Sequence, residues 1–493
     1  MLQRRGPVQP GGEDGDGRCS SGDSRKSIVQ TRSTRCAGEQ GRSAQRASVA
    51  LTGVADVSSY GMKHTSPRRT WIALGLVGVV VLAISPSTRG QGSGVQAFTG
   101  ATLIDGDGAR IDNAVLVIRD GRVTSAGRSG AASIPKEARQ IPLAGKFVIP
   151  GLISAHVHVS DVQGLAPRGY TDENTRRQLG VFARYGITTV LSLGGEQRPA
   201  FAARDAQGTA TLDRSRIYVS GEVVTGKTPE QARQMVGSVA DGKPDIIKIR
   251  VDDNLGTSTK MAPEVYRAVI DEAHRRGLRV ASHIFYLEDA KDLLRAGVDM
   301  IAHSVRDKDL DDEFIRMMKA RNVPYCPTLT REISTFVYES SPAFFADPFF
   351  LREADRAVVA QLQEPARQDA MRNSKSAQAY KAALPIARRN LKRAADAGLV
   401  IAMGTDAGPS PERFQGYFEH IEMEMMAEDG LSAAQVLRAA TSDAARALKL
   451  DDVGTLKPGA WGDFVVLDRD PLQDIRNART ISGVWISGNA VKR

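Results

Sequence analysis

Cysteine is almost missing from this chain: Cys19, Cys36 and Cys326 are the three in 493 residues. Two of them lie in the first 36 residues, so the body beyond holds only Cys326 and cannot close an internal disulfide. There is no CxxC pair and no Cys/His knuckle, so any metal must be held by imidazole, carboxylate or a less usual donor. Aromatic residues are scarce as well, at 5%. No basic stripe is interleaved with them, which removes the usual footprint of nucleic-acid binding. The formal charge of +9 does not restore it. Residues 1–69 hold 12 Lys/Arg against 6 Asp/Glu, and the other 424 residues carry only +3. A run long enough to span a bilayer is also lacking. Trp71–Ile84 is apolar for 14 residues, whereas a spanning helix needs ~20 and a signal-peptide core ~7–15.

The front end reads accordingly. Residues 1–61, rich in Gly, Ser, Arg and Gln, have little apolar periodicity and read as disordered. They are expected to precede the true start, at Met62. Residues 62–91 read as a signal peptide, or as a short membrane anchor if uncleaved. The body is therefore expected in an exported compartment, periplasmic or secreted, with membrane contact only through residues 71–84.

What is present begins with short strands. Residues 92–149 carry Asp-Gly turn signals at 105–106, 107–108 and 120–121 between strand-length runs. From about Ile153 the pattern changes. Eight apolar runs, "LISAHV", "ITTVLSL", "RIYVSG", "DIIKIRV", "RVASHI", "DMIAHS", "VPYCPT" and "LVIAMGT", alternate with helix-length amphipathic segments. This predicts an α/β fold, a (β/α)8 TIM barrel over residues 150–451. Residues 452–493 return to strands. Together with 92–149 they are expected to form a small composite β-sandwich beside the barrel.

Residues at the C-terminal ends of barrel strands face one rim. His156 and His158 end the first run, and Lys248 lies near the end of the fourth. His283 ends the fifth, His303 the sixth, and Asp406 follows the eighth. Taken singly, each has an ordinary explanation: a hydrogen-bonded core histidine, or an aspartate capping a helix. The lysine is harder to dismiss, because a buried ammonium must lose its proton or find an anion. Converging on one rim, the set predicts a metal site.

At this point a resemblance becomes specific. "VIPGLISAHVH", "GITTVLSLGG", "HIFYLEDAKDLLRAGVDMIAHS", "GTDAG" and "ATSDAARALKLDDVGTLKPGAWGDFVVLDRDP" resemble the amidohydrolase superfamily over roughly residues 95–493. The branch is that of imidazolonepropionase-like enzymes and metal-dependent Xaa-Pro dipeptidases. The resemblance implies a CO2-derived carbamate on Lys248 bridging two divalent metals. His156, His158 and Asp406 would complete one metal site, and His283 and His303 the other. Zn²⁺ suits these donors best, with Mn²⁺, Co²⁺ or Fe²⁺ also compatible. A single-metal site stays open at this stage. The resemblance further implies hydrolysis of an amide by metal-activated water, with Asp406 moving the proton to the leaving nitrogen. Tyr286 stands where superfamily deaminases often carry a glutamate. It reads either as a hydrogen-bond donor to the tetrahedral oxyanion or as a packed side chain.

The expected function is therefore metal-dependent cleavage of the carbon–nitrogen bond of a small cyclic amide or an Xaa-Pro-like dipeptide. The partner is a small-molecule amide, not nucleic acid, and a homo-oligomer is compatible with the sequence. A mononuclear-metal deaminase is the alternative within enzymes. A non-catalytic secreted binding protein on a barrel scaffold is the alternative of another class. Residues 329–375, with Phe336, Phe344, Phe345, Phe349 and Phe350, read as a lid or as packing on the barrel's flank. Arg250, Arg306 and Arg331 are candidates to clamp a substrate carboxylate.

Overall fold

The computed structural model describes residues 94–492. The expectations for residues 1–61 and for the signal segment lie outside this range. Among the described residues no helix is long and apolar enough to cross a membrane.

The β-rich ends join. Strands β1 (Gln96–Ile104), β2 (Arg110–Arg119), β3 (Arg122–Arg128), β4 (Arg139–Pro142) and β5 (Phe147–Pro150) precede a long α/β body. In the body come β6 (Leu152–Val157), a small hairpin of β7 (Val162–Gln163) and β8 (Ala166–Pro167), then β9 (Ile187–Ser192) and β10 (Arg216–Val219). There follow β11 (Ile247–Arg250), β12 (Val280–His283), β13 (Met300–Ala302) and β14 (Tyr325–Cys326). The last strands are β15 (Phe464–Leu467), β16 (Ile481–Ile486) and β17 (Asn489–Ala490). The end segments share one eight-stranded sheet in the order β17-β16-β15-β5-β1-β2-β3, with β4 on β1. A buried ion pair, Arg216 Nε to Asp463 at 2.6 Å, ties that sheet to the body. The guanidinium lies 3.9 Å from the centre of the Trp461 ring.

Apart from the β7–β8 hairpin, the strands of the body pair in parallel. β6 pairs with β9 and β9 with β10, and β11 through β14 pair in sequence. The bridge Val224–Ile249 carries the pairing on to β11. The bridges Tyr325–Ile401 and Val157–Ala407 carry it from β14 through the run 399–407 and back to β6. Every residue of β6 and β9 is buried. Strands covered on both faces should show no polar-out alternation, and these show none, their polar members Ser154, His156, Thr188, Thr189 and Ser192 being buried with the rest.

Helices α1 (Asp172–Arg184), α2 (Arg198–Asp205), α3 (Pro229–Asp241), α4 (Pro263–Arg275), α5 (Leu287–Ala296) and α6 (Asp312–Arg321) lie between those strands. α4 buries Val265, Tyr266, Val269, Ile270 and Ala273, one stripe at helical spacing. α5 stops at Gly297, whose φ of 106° permits a left-handed cap with the Val298 N–H bonded to the Leu293 carbonyl.

Two expectations need correction. The eighth run, "LVIAMGT", is not a continuous strand. It is extended chain that makes bridges only at Ile401 and Ala407. The insertion after β14 is not a bare loop either. It holds α7 (Leu329–Ile333), two 3-10 turns, α8 (Pro348–Leu351), α9 (Arg356–Leu362) and α10 (Pro365–Arg372), and leads into α11 (Lys375–Asp396). Helices α12 (Tyr417–Glu428), α13 (Ala433–Ala439) and α14 (Ser442–Leu448) complete the body.

Candidate metal centre

Because the strands run parallel, their C-terminal ends open on one side. There the structure gathers His156, His303 and Asp406, all buried, with one nitrogen or oxygen of each within 4.8 Å of the others. Asp406 Oδ1 lies 2.8 Å from His158 Nε2 and 3.3 Å from His156 Nε2. The His156 and His303 ring centres are 4.5 Å apart, and those of His283 and His303 4.1 Å. Lys248 Nζ reaches within 3.4 Å of His156 Nε2. Five of the six expected ligands thus connect to His156 or Asp406, and His283 joins through His303.

Partners that local sequence did not single out hold these groups. Asp252 meets His283 Nε2 through one oxygen and Arg250 through the other. Thr328 Oγ1 is 2.7 Å from His303 Nδ1. Arg413 donates to Asp406 Oδ2. Glu196 accepts from Ser192 Oγ, Gly194 N, Ser220 N and Oγ, and Gly221 N, fixing the turns after β9 and β10. Gly194 in turn presents its carbonyl 3.1 Å from His158 Nδ1.

That last contact bears on whether a cation fits. A carbonyl can only accept, so in the neutral tautomer of His158 the proton sits on Nδ1 and Nε2 offers a lone pair. Nε2 then faces a carboxylate oxygen at 2.8 Å, acceptor against acceptor, an arrangement that a cation between them would satisfy. His156 Nδ1 is a buried nitrogen with no partner. Burial holds His156 and His283 neutral, each pushed down to about 3, and His303 is also driven well below the usual value. Their lone pairs are therefore free to ligate. Asp406 stays ionised, the charge of Arg413 outweighing the opposing effect of its burial. The donor set of neutral imidazoles and an ionised carboxylate fits a divalent transition ion.

Backbone strain marks the same residues. His303, Thr328 and Asp406 take positive φ, at 97°, 51° and 59°, a region costly for non-glycine residues and concentrated at functional sites. The two glycines of "GTDAG" explain the motif. A Cβ on Gly404 would sit 2.8 Å from His156 N and 2.6 Å from Cys326 Sγ. One on Gly408 would fall 2.0 Å from the His158 carbonyl oxygen. Only glycine lets the Asp406 loop lie against the strand that carries both histidines.

Tyr286 is half-buried and donates to Asp253 Oδ1 at 2.8 Å, with the Lys260 ammonium over its ring. Of the three arginines, Arg250 is taken up by Asp252 and Asn254. Arg306 and Arg331 are buried around Glu332. The phenylalanines of the insertion pack down. Phe344, Phe345, Phe349 and Phe350 form edge and stacked contacts with Tyr338, Tyr185, Phe414 and Tyr417. Beneath them a cavity of about 100 Å³ is lined by Phe350, Asp355, Gln415 and Arg413, among others.

A buried carboxylate on α12 makes stability depend on pH. Glu419 accepts from Ser154 Oγ, Thr405 Oγ1 and Gly416 N, yet burial pushes its pKa up to about 7 from a usual 4.5. The folded chain then keeps a proton that the unfolded chain releases. The stabilisation is full below pH ~4.5 and is lost as pH rises toward 7, amounting to ~3 kcal/mol. In chelator, the denaturant midpoint of the wild type is expected to fall from pH 5 to pH 7 more steeply than that of Glu419→Gln. Equal slopes would assign the pH dependence elsewhere.

Comparison with known proteins agrees with this geometry. The amidohydrolase family matches residues 147–491. The chain belongs to that family. An uncharacterised protein of Mycobacterium tuberculosis is 26% identical over 225 residues, 43% of this chain and 57% of that protein, so the match spans little more than half of that relative. An imidazolonepropionase of Salinispora tropica is 26% identical over 376 residues, 72% of this chain and 86% of that protein. An ochratoxinase of Aspergillus niger is 22% identical over 457 residues, 79% and 85%. Among solved structures, a candidate prolidase from Bifidobacterium longum superposes with a TM-score of 0.67 at 26% identity, covering 82% of this chain and 95% of that one.

Proposed function

We propose that this chain is a metal-dependent hydrolase that cleaves the amide bond of a small molecule, either a cyclic amide or an Xaa-Pro-like dipeptide. The scaffold in this reading is a (β/α)8 barrel, supported by the parallel pairings that return to β6. The observation that carries the reading is the meeting of His156, His303 and Asp406, drawn from positions 250 residues apart, at one rim. His156, His158 and Asp406 would hold one divalent ion, His283 and His303 a second, with carboxylated Lys248 between them. Such ions polarise a carbonyl and bring the pKa of a water toward neutrality.

The chain's own groups do the rest. Asp406 would accept a proton from water and hand it to the leaving nitrogen, which departs poorly as an anion. Arg413 keeps that carboxylate ionised and fixes which oxygen faces the imidazoles. Tyr286 would donate to the tetrahedral oxyanion after releasing Asp253. The names of relatives agree with a small amide as substrate: imidazolonepropionase, ochratoxinase and prolidase.

Elemental analysis of the purified chain is expected to find about two transition-metal equivalents, zinc foremost. Dialysis against a chelator should lower turnover of an amide and dipeptide panel by at least ~100-fold, and added Zn²⁺, Mn²⁺ or Co²⁺ should restore it. Metal-free protein with full activity would end this proposal.

A further inference from the structure

Thr328 does not do what a threonine at the head of a helix usually does. It is the N-cap of α7, where a hydroxyl normally accepts one of the free backbone N–H groups of the first turn. Its φ of 51° is costly for a β-branched residue, and its side chain makes no cap bond. Oγ1 stands instead 2.7 Å from His303 Nδ1. The free donors of α7 are met from another helix. Glu422, in the middle of α12 and fully buried, accepts from Leu329 N at 2.8 Å through one oxygen. Its other oxygen accepts from Thr330 N and Thr330 Oγ1, both at 2.7 Å. Burial opposes a charge on this group and pushes its pKa up to about 8. The three donated hydrogen bonds offset that cost.

We propose that Glu422 is a positioning residue for the metal centre, although its hydrogen bonds all go to residues 329 and 330. By capping α7 from α12 it holds Thr328 in its left-handed turn and leaves that hydroxyl to His303. As acceptor of the Nδ1 proton, the hydroxyl fixes the tautomer whose Nε2 has a lone pair for a cation. Shape alone does not suffice at position 422. Each oxygen faces a backbone N–H, so a glutamine must turn its NH2 against one of them in either orientation. Glu419, one turn earlier and equally buried, differs. One of its oxygens meets only the hydroxyls of Ser154 and Thr405, which can accept from an amide. Glu422→Gln should therefore disturb its turn where Glu419→Gln does not. The inference rests on the metal-centre reading for its consequence, while the imidazole tautomer can be read without metal.

The test uses the full chain and the variants Glu422→Gln, Thr328→Val, the two combined, and Glu419→Gln as the control for losing a buried acid from α12. Thermal midpoints check that each is folded. Co²⁺ is titrated against a competing chelator. Glu422→Gln and Thr328→Val should each weaken Co²⁺ binding by about 10-fold or more and alter its visible absorption. The double variant should bind no more weakly than the worse single one, because both changes break the same chain of contacts. Thr328→Ser should restore the affinity, and Glu419→Gln should stay within about threefold of wild type. In metal-free protein the ¹⁵N signals of His303, assigned by their loss in His303→Gln, should show the Nδ1–H tautomer in wild type and a mixture in Glu422→Gln and Thr328→Val. If Glu422→Gln does not fold, Thr330→Val removes one of the three donors to Glu422, and a loss of about threefold is expected. The proposal is overturned if Glu422→Gln, or Thr330→Val in its place, keeps both the affinity and the tautomer. Additive losses in the double variant, or an equal loss in Glu419→Gln, overturn it too. Wild type that binds no Co²⁺ would end the metal-centre reading, and the His303 tautomer would then decide the role of Glu422 by itself.

Discussion

Lys248→Ala is expected to lower kcat/KM by at least ~10³, and formate, acetate or bicarbonate to restore part of it. The lysine sits in β11, 4% exposed, with its Nζ 3.4 Å from His156 Nε2. Desolvation brings its pKa down to about 8. At pH 7 roughly a tenth of the amine is then neutral, and only the neutral form can attack CO2. Left as an ammonium it would set a positive charge beside the imidazole of His156, where a metal ion would have to sit. As a carbamate it becomes an anion with two oxygens, a natural bridge between two cations. Small carboxylates can occupy the space that alanine leaves and supply those oxygens. Rescue should therefore track the size and charge of the acid, and metal content should rise with it. An alanine variant that keeps both metals and full turnover would remove lysine from the mechanism.

Asp406→Asn should be the other severe change, lowering kcat by ~10⁴ while keeping at least half of the metal. Asparagine matches aspartate in shape and still offers one oxygen toward His156 and His158. It cannot take a proton from water. It also leaves the Arg413 cation without its partner in a site that is mostly buried. Single-turnover rates together with elemental analysis separate the two functions of this side chain. Loss of all metal with a proportional loss of rate would make Asp406 a ligand only. An unchanged rate would remove it from proton transfer.

How much of this the sequence could reveal depends on the range of the interaction. The HxH pair, His283, His303 and "GTDAG" were legible because parallel strands put the ends of apolar runs on one side, whatever the loops do. The run 399–407 was legible as extended chain but not as irregular. Its bonding to β6 is broken up, with the Ala155 N–H reaching Met403 and the N–H groups of Thr405 and Asp406 both reaching the His156 carbonyl. Asp252, Glu196, Thr328 and Arg413 left no local signal. Asp252 and Thr328 act on residues brought near only by the fold, Asp252 on His283 across 31 positions and Thr328 on His303 across 25. Arg413 stands seven residues past Asp406, and nothing in the intervening loop sequence announces the contact. The phenylalanine-rich insertion announced an apolar burial but not its partner. That partner includes Tyr185 at the end of α1 and Tyr417 at the start of α12, far apart in the chain.

The shared end sheet has a consequence for how the protein is made. β5 pairs with β15, so Phe147–Pro150 must wait until residues 464–467 have left the ribosome. Through most of synthesis the nascent chain carries an open strand edge next to a growing α/β body, a hazard for premature association between copies. Nonsense mutations near the end of the reading frame should therefore yield aggregates, not shortened enzymes.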